Sequence, residues 1–201
     1  RGIDFLRRNH QQDNWFLQLE CFDPHEPFFQ HRRYRDIFPD VDFSGELHDW
    51  PQYGRVDESD DEIRQARYRY AASLAMCDAY LGDVLDVMDE LNLWDDTMLI
   101  VNTDHGHFLS ERGYWAKNYM PWYEELIHIP LFVWDPRAPE AAGERRDGLV
   151  QMIDMPPTLL EYFGVEPTER MQGRSIAGAM RDNAPVREWA LFGNFGQQVS
   201  V

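Results

Sequence analysis

Residues 97–107 read Thr97-Met98-Leu99-Ile100-Val101-Asn102-Thr103-Asp104-His105-Gly106-His107. Seven mostly apolar residues, several β-branched, run directly into a polar cluster. That pattern predicts a short buried strand over 97–103 with a carboxylate and an imidazole side by side at its end. Upstream lies the signal of a long helix. Ser59 or Asp60 can cap it, and Asp60, Asp61 and Glu62 suit the positive end of its dipole. Ile63, Ala66, Tyr70, Leu74, Cys77, Leu81, Val84, Leu85, Met88 and Leu91 then recur at spacings of three and four, and Gly82 reads as a point of close packing. Before that helix, residues 14–22 form a second mostly apolar run, stopped by Asp23-Pro24-His25-Glu26-Pro27. Strand, long helix, strand is a crossover unit. It predicts that 15–22 and 97–103 are parallel and adjacent or nearly so, in an α/β fold with a mainly parallel sheet flanked by helices.

The rest of the chain fits round this unit. A short helix is predicted over 3–11, and an irregular excursion over 28–58, where no period is sustained. Residues 104–119 read as a polar, glycine-containing loop, 129–134 as a third strand and 136–148 as a charged surface loop. Asp154 is placed to cap a helix over 155–163, with Pro156 and Pro157 in its first turn and Gly164 as its stop. A short helix near 175–182 and a strand at 188–193 complete the expectation.

At 201 residues the chain has the length of one domain. Its 43% apolar and 14% aromatic content supports a core and excludes a disordered tail, a coiled coil and collagen. No apolar run approaches a membrane span. Residues 1–20 carry Arg1, Asp4, Arg7, Arg8 and Asp13 where a secretory leader would be apolar. The net charge of −17 repels nucleic acid and anionic lipid, so an anionic substrate needs a locally positive site. Lys117 is the one lysine among the 19 basic residues. Cys21 and Cys77 read as buried free thiols.

Ligands of an open parallel sheet gather beyond the carboxyl ends of its strands. Asp23-Pro24-His25 and Asp104-His105-Gly106-His107 both fall there. A carboxylate beside an imidazole suits zinc, manganese or iron, whereas calcium prefers oxygen throughout. Gly106 eases the turn that aims both groups at one ion. On these residues alone, a capped turn is the better account of Asp104 and His105, and a hydrogen-bonded or surface histidine of His25.

The wider pattern resembles the sulfatase family of the alkaline-phosphatase superfamily. The resemblance is carried by Asn102-Thr103-Asp104-His105-Gly106, then Leu109-Ser110-Glu111-Arg112-Gly113-Tyr114-Trp115-Ala116-Lys117-Asn118. Tyr123-Glu124-Glu125, Ile129-Pro130-Leu131 and the upstream Phe22-Asp23-Pro24-His25-Glu26-Pro27-Phe28 add to it. Met152-Ile153-Asp154-Met155-Pro156-Pro157 and Met171-Gln172-Gly173-Arg174-Ser175 match downstream segments, so the likeness runs from about residue 3 to 193. It implies an alkaline-phosphatase-like α/β fold and hydrolysis of a small sulfated substrate. Asp104 and His105 match two ligands of a divalent metal: calcium, or manganese or zinc given the Asp-His pair. Lys117 matches the lysine that holds the sulfuryl oxygens, and His25 the histidine that faces the leaving group. Arg112 stands where histidine is common; it either contacts the anion or pairs with an acid. His107 reads as a surface residue, and Trp115 as core.

One element is missing. The family's nucleophile lies in a Cys/Ser-x-Pro-x-Arg motif, its Cys oxidised to formylglycine, and no Cys or Ser here begins one. The family's N-terminal strand with an Asp-Asp pair is missing too. The expectation is therefore that residues 1–201 are the C-terminal portion of a sulfatase-type catalytic domain, incomplete and catalytically silent alone. An uncovered sheet edge would favour a homo-oligomer. A phosphodiesterase or phosphonate monoester hydrolase on the same scaffold, and a non-catalytic metal-binding or interaction module, are the alternatives.

Overall fold

A computed structural model of the chain describes residues 1–38, 49–118, 121–193 and 199–201. In chain order its helices are α1 (Gly2–Asn9), α2 (Arg32–Arg35), α3 (Asp60–Glu90), α4 (Glu124–Ile127), α5 (Met155–Tyr162) and α6 (Ala177–Asp182). Its strands are β1 (Gly54–Arg55), β2 (Leu99–Asn102), β3 (Phe108–Leu109), β4 (Tyr114–Ala116), β5 (Leu131–Trp134), β6 (Phe192–Gly193) and β7 (Val199–Ser200). These elements fall into two compact units: residues 1–93 with 107–121, and residues 94–106 with 122–201.

The first unit is organised by α3. Its start carries a reciprocal cap: Ser59 N–H donates to Glu62 Oε2 at 2.7 Å, and Glu62 N–H donates to Ser59 Oγ at 3.4 Å. The buried stripe includes Ala66, Arg69, Ala72, Ser73 and Met76, and continues through Val87 and Met88. It is turned slightly from the predicted one, which leaves Leu74 exposed. Tyr34 of α2 packs on Ala72 and Met76. Gly82 does not serve close packing, because a Cβ built there would meet nothing within 4 Å.

The segment predicted as a loop over 104–119 contains a hairpin instead. β3 and β4 pair Phe108 with Ala116 and Leu109 with Trp115, and β1 adds to the far side of β4. The reason is apolar: Phe108, Trp115 and Ala116 are buried, and only a paired backbone can accompany them inward. The turn is made by Ser110, Arg112 and Gly113, all with positive φ. Arg67 Nε of α3 donates to the Leu109 carbonyl at 2.7 Å, and Trp115 Nε1 donates to Glu58 Oε2 at 2.7 Å. Trp115 is thus a core residue, as predicted.

The predicted parallel pairing of 15–22 with 97–103 is not formed, and every ladder among the described residues is antiparallel. Residues 15–22 carry no strand, and Phe16, Leu19 and Phe22 are exposed. A strand needs a ladder partner to satisfy its backbone, and this run has none among the described residues. Cys21 is accordingly exposed rather than buried. Cys77 is half-buried, and burial, with Asp23 nearby, pushes its thiol up to about 11. Within the predicted excursion over 28–58, α2 and β1 are regular, and residues 39–48 lie outside the described set.

In the second unit β2 pairs antiparallel with β5, Leu99 opposite Trp134 through Asn102 opposite Leu131. Met155, Ile176, Ala179 and Val186 form the core, with Ile100 and Leu131 packed against them. Asp154 does not cap α5 as predicted. It is fully buried, and its carboxylate accepts from Gln151 N–H and Arg174 N–H, each at 2.8 Å, and from Arg187. Asp154 therefore clamps three separated segments. The strand predicted over 188–193 shortens to β6.

Two stability outcomes follow from these packings. Gly82→Ala should raise stability by about 0.5–1 kcal/mol in denaturant unfolding, since an open helix interior gains propensity and loses unfolded-state freedom. Asp154→Ala should cost about 3–5 kcal/mol in the same measurement, because it strands the guanidinium of Arg187 in the interior.

Candidate active site

Two groups of expected site residues are brought together, one in each unit. In the first unit β4 ends at Ala116, which is buried and holds φ at +66°. Lys117 follows directly, so its side chain is aimed by the hairpin. Its Nζ lies 2.7 Å from His25 Nε2. An ammonium has only donors, so the ring nitrogen accepts. The other ring nitrogen, Nδ1, then carries the proton and donates to the main-chain carbonyl of Glu26 at 2.7 Å. The Tyr53 ring flanks the ammonium, with its centroid 5.9 Å from Nζ.

Glu26 is the residue that the sequence reading passed over. Its side chain is 1% exposed. Oε1 lies 3.7 Å from Lys117 Nζ, while Oε2 lies 3.4 Å from His25 Nδ1 and 3.6 Å from His107 Nδ1. Neither carboxylate oxygen has a hydrogen-bond partner among the described residues. His107 is accordingly not a surface residue: its side chain is 14% exposed and meets the edge of buried Phe28. The available signal was an acid between His25 and Pro27, inside a proline-rich turn. Arg112 is exposed in the β3–β4 turn with φ at +55°.

In the second unit Asp104 and His105 follow β2. His105 N–H donates to Asp104 Oδ1 at 3.0 Å, so the carboxylate caps its own turn. His105 Nδ1 bonds to the Gly106 carbonyl at 2.8 Å. That fixes the proton on Nδ1 and leaves the Nε2 lone pair open, 3.6 Å from Asp104 Oδ2. One oxygen and one imidazole nitrogen at this spacing fit two positions round a divalent ion. Among the described residues no three such groups gather to hold a metal.

Gly106 has a different purpose from the one predicted. Its φ is not positive; its need is for space. A Cβ there would stand 1.8 Å from the Glu125 carbonyl oxygen, while Gly106 N–H donates to the Leu126 carbonyl at 2.8 Å. Backbone contact between the strand end and α4 therefore admits only glycine.

A sulfatase family model matches residues 1–165. The chain belongs to the sulfatase family. It is 26% identical over 225 residues to a sulfatase of Formosa agariphila, covering 96% of this chain and 44% of that protein. It is 35% identical over 130 residues to a multifunctional alkaline phosphatase superfamily protein of Trinickia caryophylli, covering 62% of this chain and 24% of that one. A solved sulfatase structure from Bacteroides fragilis superposes with a TM-score of 0.72 at 21% identity, covering 92% of this chain and 40% of that one. The fold is thus α/β of the alkaline-phosphatase type, though without the parallel pairing expected from the crossover. The chain spans less than half the length of the curated relatives it matches.

The close approach at Gly106 sets a test of the sulfatase strand end. Gly106→Ala should destabilise the chain by about 1–3 kcal/mol. It should also shift the amide resonances of 104–106 and 124–127 ahead of the rest; uniform shifts, or none, would contradict the packing described.

Proposed function

We propose that residues 1–201 form the C-terminal portion of a metal-dependent sulfatase catalytic domain that hydrolyses the ester of a small sulfated molecule. The observation that carries this reading is the hydrogen bond between Lys117, the chain's single lysine, and His25, in a chain of the sulfatase family. In a protein of net charge −17, that ammonium supplies the local positive charge an anionic ester needs. Lys117 Nζ offsets the charge on the sulfuryl oxygens as the nucleophile of the complete catalytic domain bonds to sulfur and the ester S–O bond breaks. His25 is assigned to the departing oxygen: its imidazole, protonated from solvent, gives that proton up so that a neutral alcohol or phenol leaves, while Lys117 keeps its charge. Arg112, exposed in the β3–β4 turn, is proposed either to contact the same anion or to pair with an acid.

Asp104 and His105 are proposed as two ligands of a divalent metal, calcium or, given the imidazole, manganese or zinc. When bound, the ion offsets charge on the nucleophile and on a sulfuryl oxygen. Two ligands fall short of the four or more that such an ion takes, so this chain by itself should bind metal weakly.

A second reading is phosphodiester or phosphonate monoester hydrolysis by the same groups, with which the likeness to a multifunctional alkaline phosphatase superfamily protein is compatible. One assay addresses both. In a protein carrying the complete catalytic domain, Lys117→Ala should lower kcat/KM for an aryl sulfate by about 10²–10³-fold. Larger turnover of an aryl phosphonate than of the sulfate would favour the second reading. The 201-residue chain alone, with calcium, manganese or zinc, should turn over neither. Turnover that survives repurification and vanishes on Lys117→Ala would mean that the nucleophile lies within these residues.

A further inference from the structure

A carboxylate stripped of water must be compensated by hydrogen bonds or by charge. Among the described residues Glu26 has no hydrogen bond to either oxygen. The groups facing it are Lys117 Nζ at 3.7 Å from Oε1, with His25 Nδ1 and His107 Nδ1 at 3.4 and 3.6 Å from Oε2. The proton on His25 Nδ1 is directed at the main-chain carbonyl of the same residue, not at its carboxylate. Compensation therefore rests on charge, and Lys117 is the permanent cation of the set. The ammonium is in turn nearly buried, at 12% exposure, and its hydrogen bond to His25 occupies one of its three N–H donors. Each partner needs the other to be tolerated where it sits.

We propose that Glu26 is the positioning residue of this site: its carboxylate is the fixed counter-charge that holds Lys117 against His25, while its main-chain carbonyl sets the ring of His25. One residue thus aims both groups that meet the transferred group. The arrangement makes a structural prediction that simple packing would not. Losing the carboxylate should release Lys117 while leaving the tautomer of His25 intact, because the latter depends on the backbone. The inference rests on the functional reading of Lys117 and His25 given above, but its test reads the pair itself. A parent protein that failed to hydrolyse sulfate esters would overturn that reading alone.

The chain's single lysine makes the measurement direct. Lysine-selective ¹⁵N labelling gives one side-chain ammonium resonance, and histidine ¹⁵N spectra report the tautomer of His25. In the unsubstituted chain the ammonium should be protected from solvent exchange and His25 should carry its proton on Nδ1. Glu26→Gln should raise ammonium exchange by about tenfold or more, with the amide spectrum retained and the His25 tautomer unchanged. Glu26→Asp should restore part of the protection. A folded Glu26→Gln chain with unchanged exchange would overturn the proposal. If that variant does not fold, the double variant Glu26→Gln with Lys117→Met decides. Recovery of the fold supports a charge pair, and continued loss overturns it.

Discussion

A single buried carboxylate constrains the first unit. Once Glu26 is inside, its charge has to be met by groups that arrive from a different part of the chain, and Lys117 and His107 both come from the segment that bears the β3–β4 hairpin. The hairpin must therefore be held in register to within the reach of one ammonium. Its ties to the rest of the unit do this. Arg67 of α3 binds the Leu109 carbonyl, Glu58 receives the indole proton of Trp115, and the buried rings of Phe108 and Trp115 fill the interior. Apolar burial supplies most of the stabilisation and carries little directional information. The ion pairs and the two hydrogen bonds supply direction, so they fix where Lys117 points.

The second unit handles its buried acid by the opposite means. Asp154 is as thoroughly buried as Glu26, yet it accepts from two backbone N–H groups and a guanidinium. A carboxylate with that many donors is satisfied and inert, and its work is to join segments. Glu26, with charges close by and no hydrogen bond, is under-satisfied by comparison. Two carboxylates of nearly equal burial thus differ in how they are compensated: Asp154 by hydrogen-bond donors, Glu26 by nearby charge.

The sequence showed the helices well, because their signals are local. The Ser59–Glu62 cap, the periodicity of α3, the prolines at the start of α5 and the stop at Gly164 all lie within a few residues of what they determine. Strand pairing was not legible in this way. Residues 15–22 have the composition of a strand, but a ladder needs a partner that composition does not name, and β2 pairs with β5 instead. The hairpin in 104–119 was missed for a related reason: Phe108, Trp115 and Ala116 are too few to show a period, and their burial follows from contacts distant in sequence.

The site was legible in part, and the split follows chemistry. Lys117 stood out as the chain's lone lysine and His25 through the family likeness of Phe22-Asp23-Pro24-His25-Glu26-Pro27-Phe28, and their 2.7 Å contact shows that they do form a pair. Asp104 and His105 stood out as neighbours, and the Nδ1 bond to Gly106 leaves the histidine nitrogen that a metal would need. Glu26 was invisible because acids are common in a chain with 36 of them, and only burial distinguishes this one from the solvated majority. Gly106 was read as easing a turn, whereas its constraint is the Glu125 carbonyl pressed against it. In both cases the deciding quantity is the space and charge brought by another segment. A buried acid or a crowded glycine acquires its meaning only from what folds against it, and in this chain those two residues anchor the turns that present the candidate catalytic and metal-binding groups.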